Sequence, residues 1–222
     1  MQLQPTIRRK YKLSTTPWPD PLPSIVLFVF WPGGVLFDLK FSKFYTKNGM
    51  KNPYIKLARL AVEKYVKEGE ILKPPQDLPE KFFKEKSGVF VSIHKNKELR
   101  GCIGTYLPTK NNIAEEIISN AISASKDPRF LPIQKEELPY LTYEVYILEE
   151  PKPIKSLKEL NPKKYGILIK AIDSNKSALL LPDLEGVDSI EKQILITCQK
   201  AGIDPTKEKF VIFKFGAKKY AE

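Results

Sequence analysis

Gly88-Val89-Phe90-Val91-Ser92-Ile93-His94-Lys95-Asn96-Lys97-Glu98-Leu99-Arg100-Gly101-Cys102-Ile103-Gly104 is the stretch that decides the fold. Gly88 to His94 reads as a strand, Lys95 to Glu98 as a polar turn, and Leu99 to Leu107 as the returning strand. A turn this short joins antiparallel neighbours, because a parallel pair needs a long crossover. Leu141 to Leu148 is a further strand, with Leu141, Tyr143, Val145 and Ile147 on one face and Thr142, Glu144 and Tyr146 on the other.

Helices fall between these strands. Asn52 is an N-cap and Pro53 sits at the first helical position. Tyr54, Leu57, Ala58, Ala61, Tyr65 and Val66 then line one face until Gly69 stops the helix. After a proline-rich connector (Lys73-Pro74-Pro75 to Pro79) and the hairpin, Asn111 and Asn112 cap a second helix. Its face is Ile113, Ile117, Ala121 and Ala124, and Asp127-Pro128 ends it. Tyr165–Ile172 and Ala178–Leu181 read as strands, Ser189 to Ala201 as a third helix stopped by Gly202, and Phe210 to Phe215 as the last strand. Strands and helices intermix without a regular βαβ rhythm, so an α+β fold is expected, a mixed sheet with packed helices.

Residues 1–49 read differently. Pro17, Pro19, Pro21 and Pro23 favour an extended chain, and the apolar run Ile25 to Trp31 is broken at Pro32-Gly33-Gly34. This is too short and too interrupted for a membrane span of ~20 apolar residues. It also lacks the order of a signal peptide. Met50-Lys51-Asn52-Pro53 is a plausible start, directly ahead of the helical pattern. The segment is therefore expected to be an extension apart from the domain at 50–222, non-native or disordered.

The net charge of +11 points toward nucleic acid, but residues 1–49 hold seven basic and two acidic residues, so the remainder is far more balanced. In that remainder Lys and Glu intersperse, as in Lys84-Glu85-Lys86, which describes a solvated surface. Nucleic acid is thus a weakly supported partner, without a recognisable binding motif. Two cysteines are too few for a disulfide framework, which places the protein in a reducing compartment, the cytoplasm. One histidine and two isolated cysteines give no metal signature, and no phosphate loop or cofactor motif is present.

Leu99-Arg100-Gly101-Cys102-Ile103-Gly104 is the unusual segment, because two glycines bracket a thiol inside a strand. Glycine there marks a bulge or a close backbone approach. Cys102 is the candidate nucleophile, with Arg100, Gly101 and Gly104 beside it as an anion-receiving bend. The competing reading is a buried cysteine in a tight strand crossing. With His94 paired to Leu99, Cys102 pairs with Val91, which puts His94 and Cys102 on opposite faces, roughly 10 Å apart. A Cys–His dyad is not expected on that register. Asp127 and Arg129 form a charged helix-exit turn, Arg129 suiting helix-end carbonyls or a substrate equally. Asp183 and Glu185 end a strand in two carboxylates, and Glu144 offers an alternative base for Cys102. Cys198 lies on the apolar stripe of its helix and reads as core.

These residues carry a resemblance. Leu99–Gly104 looks like the signature hexapeptide of the AMME chromosomal region protein family. The match runs on through Asn120–Ala124, Asp127–Phe130, Glu137-Leu138, Val145–Leu148, Lys164–Gly166, Leu179–Gly186 and Lys200–Ile203. The resemblance covers about Pro53 to Glu222. It implies an α+β fold of two subdomains with a cleft beside the hexapeptide strand. It also implies membership of the AmmeMemoRadiSam set, in which a Memo-type protein and a radical SAM protein are the expected partners.

Overall fold

The computed structural model describes residues 52–222. The expectation of a separate extension at 1–49 concerns residues outside those described. The α+β class holds, and the described residues divide into two compact units, one of 52–147 with 219–222 and one of 148–218. No helix among them is long and apolar enough to cross a membrane.

The first unit begins with helix α1, Pro53–Glu68, whose N-cap Asn52 accepts a hydrogen bond from the Tyr54 N–H and whose C-terminal Gly69 takes a left-handed conformation. Its inward stripe of Tyr54, Ile55, Leu57, Ala58, Ala61 and Val62 is buried. A one-turn helix, α2 (Lys81–Lys84), inserts Phe82 into the same core. Strands β1 (Val89–Lys95) and β2 (Glu98–Thr105) form the hairpin, and α3 (Ile113–Ala124) starts at Asn112, whose side chain accepts from the Glu115 N–H. A 3-10 turn at Lys135–Tyr140 leads into β3, Leu141–Leu148.

Sheet order in this unit is β2-β1-β3-β8, where β8 is Ala217–Ala221. β8 was not expected from the sequence, which placed the last strand at Phe210–Phe215. Val89, Val91, Ile93, Tyr143 and Val145 face the core made with α1 and α3. Burying each such side chain contributes about 1.5–3 kcal/mol. The opposite face carries Phe90, Ser92 and His94 on β1 and Thr142, Glu144 and Tyr146 on β3.

The second unit has the order β4-β7-β5-β6, from Lys152–Pro153, Phe210–Phe215, Gly166–Ala171 and Ser177–Leu180 respectively, all paired antiparallel. Helix α4, Ile190–Ala201, capped by the Ser189 side chain and closed by left-handed Gly202, packs on β5 and β6. Its core gathers Ile167, Ile169, Ile194, Cys198, Phe210 and Ile212.

Candidate functional site

The hairpin that carries the hexapeptide is closed by Asn96 and Lys97, both at positive φ (53° and 70°). This is the two-residue turn whose twist matches antiparallel strands. His94 pairs with Leu99 as expected, but the next pair is Ile93 with Gly101. Arg100 is an extra, unpaired residue, a β-bulge. The bulge overturns the expected register: Cys102 lies opposite Ser92 and not Val91, so Cys102 and His94 share a face as diagonal neighbours. Such neighbours have backbones roughly 7–8 Å apart, closer than the separation expected from a regular ladder.

Cys102 thus stands in a row across three strands, Cys102 on β2, Ser92 on β1 and Glu144 on β3. The Ser92 hydroxyl donates to the Cys102 sulfur at 3.1 Å. Ser92 is buried and Cys102 half-buried. Glu144 is bonded by the Tyr146 hydroxyl at 3.0 Å and paired with Lys219 of β8 at 2.8 Å. Tyr146 is itself largely buried, and burial, with the Glu144 charge second, pushes its phenol up to about 12. Lys219 loses some affinity for its proton to burial, but the Glu144 and Tyr146 oxygens outweigh this and hold its ammonium above the ordinary lysine value.

The main chain of Cys102 is gripped from the strand's outer edge. Its N–H donates to Asp127 Oδ2 at 2.9 Å, and its carbonyl accepts from Arg129 Nη2 at 3.1 Å. Arg129 binds Asp127 through its own N–H (3.1 Å), Nε (3.0 Å) and Nη2 (2.6 Å). The Asp127 carboxylate is buried; burial alone would raise its titration point, but the bonds from Arg129 and from the Cys102 N–H outweigh that and hold it below the usual range. Arg129 therefore braces the hexapeptide strand rather than the end of α3.

Both glycines are accounted for by close approach. A Cβ at Gly101 would overlap the Ala124 carbonyl oxygen at the end of α3, and one at Gly104 would overlap the Phe90 ring and the Val89 carbonyl. Arg100 is turned aside: its Nε and Nη2 bind the two Glu137 oxygens at 3.0 and 2.9 Å, with Lys95 on Oε2 at 3.0 Å. The Arg100 bonds are the largest cause drawing Glu137 down to about 2.

The structure brings together Cys102, Asp127 and Arg129, with Gly101 and Gly104 shaping the strand and Glu144 in the row. Arg100 lies next to them but serves Glu137. Asp183 and Glu185 belong to the second unit, both exposed, with Asp183 at positive φ (55°) and its N–H bonded to the Pro162 carbonyl at 2.8 Å. Cys198 is core as read, and burial, with the Glu208 charge second, pushes its thiol up to about 11. Among the described residues no group of three or more His, Cys, Asp and Glu side chains is arranged to hold a metal ion. Sequence reasoning missed Ser92, Glu137, Tyr146 and Lys219. Ser92 was within reach, since any residue of β1 opposite Cys102 shares its face; the bulge hid which one.

Fold and site together define an α+β protein of two antiparallel-sheet units, marked by a braced, half-buried thiol on an edge strand. The AMMECR1 family model matches residues 55–220, and the chain belongs to that family. A Thermotoga maritima protein is 44% identical over 172 residues, 77% of this chain and 98% of that protein. A Clostridium acetobutylicum protein is 44% identical over 179 residues, 80% of this chain but 37% of that longer protein. The crystal structure of PH0010 from Pyrococcus horikoshii superposes with a TM-score of 0.71 at 33% identity, over 76% of this chain and 89% of that one.

Proposed function

We propose that the protein is a substrate- or partner-binding component of a modification pathway in the cytoplasm, working with a Memo-type protein and a radical SAM protein, with Leu99–Gly104 as its recognition element. The observation that carries this reading is the double grip on Cys102, whose N–H and carbonyl are held by Asp127 and Arg129. Polar groups on an edge strand that would otherwise invite non-specific strand pairing are spent on stiffening the motif. A stiff motif loses little conformational freedom on binding, which favours recognition. The Clostridium relative adds support, because the matched region there is 37% of a longer chain, as suits a module that works beside others. Co-expression with a Memo-type and a radical SAM protein tests it. Retention of either partner, weakened by Arg129→Ala, is expected; absence of both, with and without cross-linker, sinks the reading.

A second reading, a stand-alone enzyme with Cys102 as nucleophile, draws on the Ser92 hydroxyl bonded to its sulfur and on Glu144 in the same row. Wild-type behaviour of Cys102→Ser in every assay ends it.

A further inference from the structure

We propose that Cys102 is a covalent capture site for small disulfides, with Ser92 as the positioning donor on its sulfur and Lys219 as the charge that keeps Glu144 from opposing the reaction. The inference deepens the thiol reading of this residue but needs no catalytic turnover.

Three features of the cluster lead to it. Ser92, buried on β1, donates its hydroxyl to sulfur at 3.1 Å, and a donor on sulfur favours the nucleophilic anion over the neutral thiol. The main chain of Cys102 is fixed on both sides by Asp127 and Arg129, so the sulfur is held in place rather than swinging on a free edge. The charge of Arg129 is also felt at Cys102. The third feature is Glu144, two strands away and so roughly 10 Å off along the row. A bare carboxylate there would disfavour a second anion, but Lys219 pairs with it at 2.8 Å. With Asp127 paired to Arg129 and Glu144 to Lys219, the cluster is close to neutral and selects a soft electrophile over a carboxylate or phosphate.

The step balances without an external oxidant. The Cys102 thiolate attacks one sulfur of the small disulfide; a new S–S bond forms, the old one breaks, and the other half leaves as a thiolate, while the thiol proton goes to solvent. Cys198, the other cysteine of the chain, is fully buried in the core of the second unit, so it is no resolving thiol and the mixed disulfide accumulates.

Oxidised glutathione is the probe, read by intact mass and peptide mapping on the folded full chain. One adduct is expected, on Cys102 and not on Cys198, reversed by dithiothreitol. Ser92→Ala is expected to slow capture about two- to tenfold, the range of a single hydrogen bond. Lys219→Gln is expected to slow it about two- to threefold, and Glu144→Gln added to Lys219→Gln to restore the rate. Equal rates in wild type, Ser92→Ala and Lys219→Gln overturn the proposal; should Ser92→Ala not fold, the Lys219 pair of variants still decides. Iodoacetamide separates the two levels. Alkylation of Cys102 without disulfide capture sinks the capture site and leaves the thiol reading standing, whereas a Cys102 as inert as Cys198 to both reagents sinks both.

Discussion

Replacing Glu137 by Gln should make the stability of the first unit less dependent on acid, by an amount the structure sets. Glu137 receives Arg100 twice, at 3.0 and 2.9 Å, Lys95 at 3.0 Å and the Gln134 N–H at 3.1 Å, on a side chain 14% exposed. These bonds, Arg100 first, draw its carboxyl from 4.5 down to about 2. A folded value below the unfolded one means that stability is fully present above the unfolded value and is lost as pH falls toward the folded one. The full linkage is roughly 3 kcal/mol at neutral pH, which solvent screening at a partly wet rim reduces to about 2. In Glu137→Gln the carbonyl oxygen still accepts from Arg100, while the new amide donates toward a second donor, so the neutral-pH loss is expected near 2 kcal/mol. Thermal or urea unfolding of both proteins from pH 7 to pH 2 is the assay. The wild-type advantage should be flat above about pH 5, halve near pH 3 and nearly vanish by pH 2. An advantage that stays constant over that range would refute the reasoning, because it would mean that the pair contributes shape and not charge.

Other variants probe the same framework. Gly101→Ala should cost about 2 kcal/mol or more, since its Cβ meets the Ala124 carbonyl, and should lower the melting temperature by several degrees; Gly216→Ala, whose Cβ meets only the movable end of exposed Glu149, should stay within about 0.5 kcal/mol. Asp127→Asn should destabilise by about 2–4 kcal/mol at pH 7, because it leaves a donor facing the Cys102 N–H or Arg129, and the difference should shrink below pH 4 as the wild-type carboxylate protonates. Glu222→Gln should cost about 1 kcal/mol in unfolding, since Glu222 accepts from Arg59 at 2.9 Å and from the Tyr143 N–H at 3.2 Å; an unchanged midpoint would show that the end of β8 is not anchored there.

Much of this fold was legible because its signals are local. Asn52, Asn112, Ser189, Gly69 and Gly202 mark helix ends through bonds made within a few residues, and the alternation over Leu141–Leu148 survives intact in the burial of β3. What escaped is short or set from outside. Helix α2 is a single turn, too brief for a period, although its Phe82 is fully buried. Ala217-Lys218-Lys219-Tyr220-Ala221 has no alternation, yet it pairs as β8, Tyr220 stacks on Tyr54 at 4.0 Å and Lys219 reaches Glu144 at 2.8 Å. Those partners lie far away in sequence, so nothing in the segment itself announces them.

The hexapeptide shows how little separates a correct element from a wrong site. Both strands, the turn and the His94–Leu99 pair were readable, and so were glycines at points of close approach. The face of Cys102 was not, because faces were assigned by counting in twos and the count fails at Arg100. A bulge adds one residue to one strand, and one residue inverts every face beyond it. The cue lay in the glycine after it: Gly101 is pressed against the Ala124 carbonyl, and Arg100 is the extra residue immediately before that contact. A strand glycine that must touch a helix end is thus a place to distrust the count. Here the corrected count puts a hydroxyl on the thiol and a lysine-paired carboxylate in its row, in place of an isolated cysteine across the sheet from a histidine.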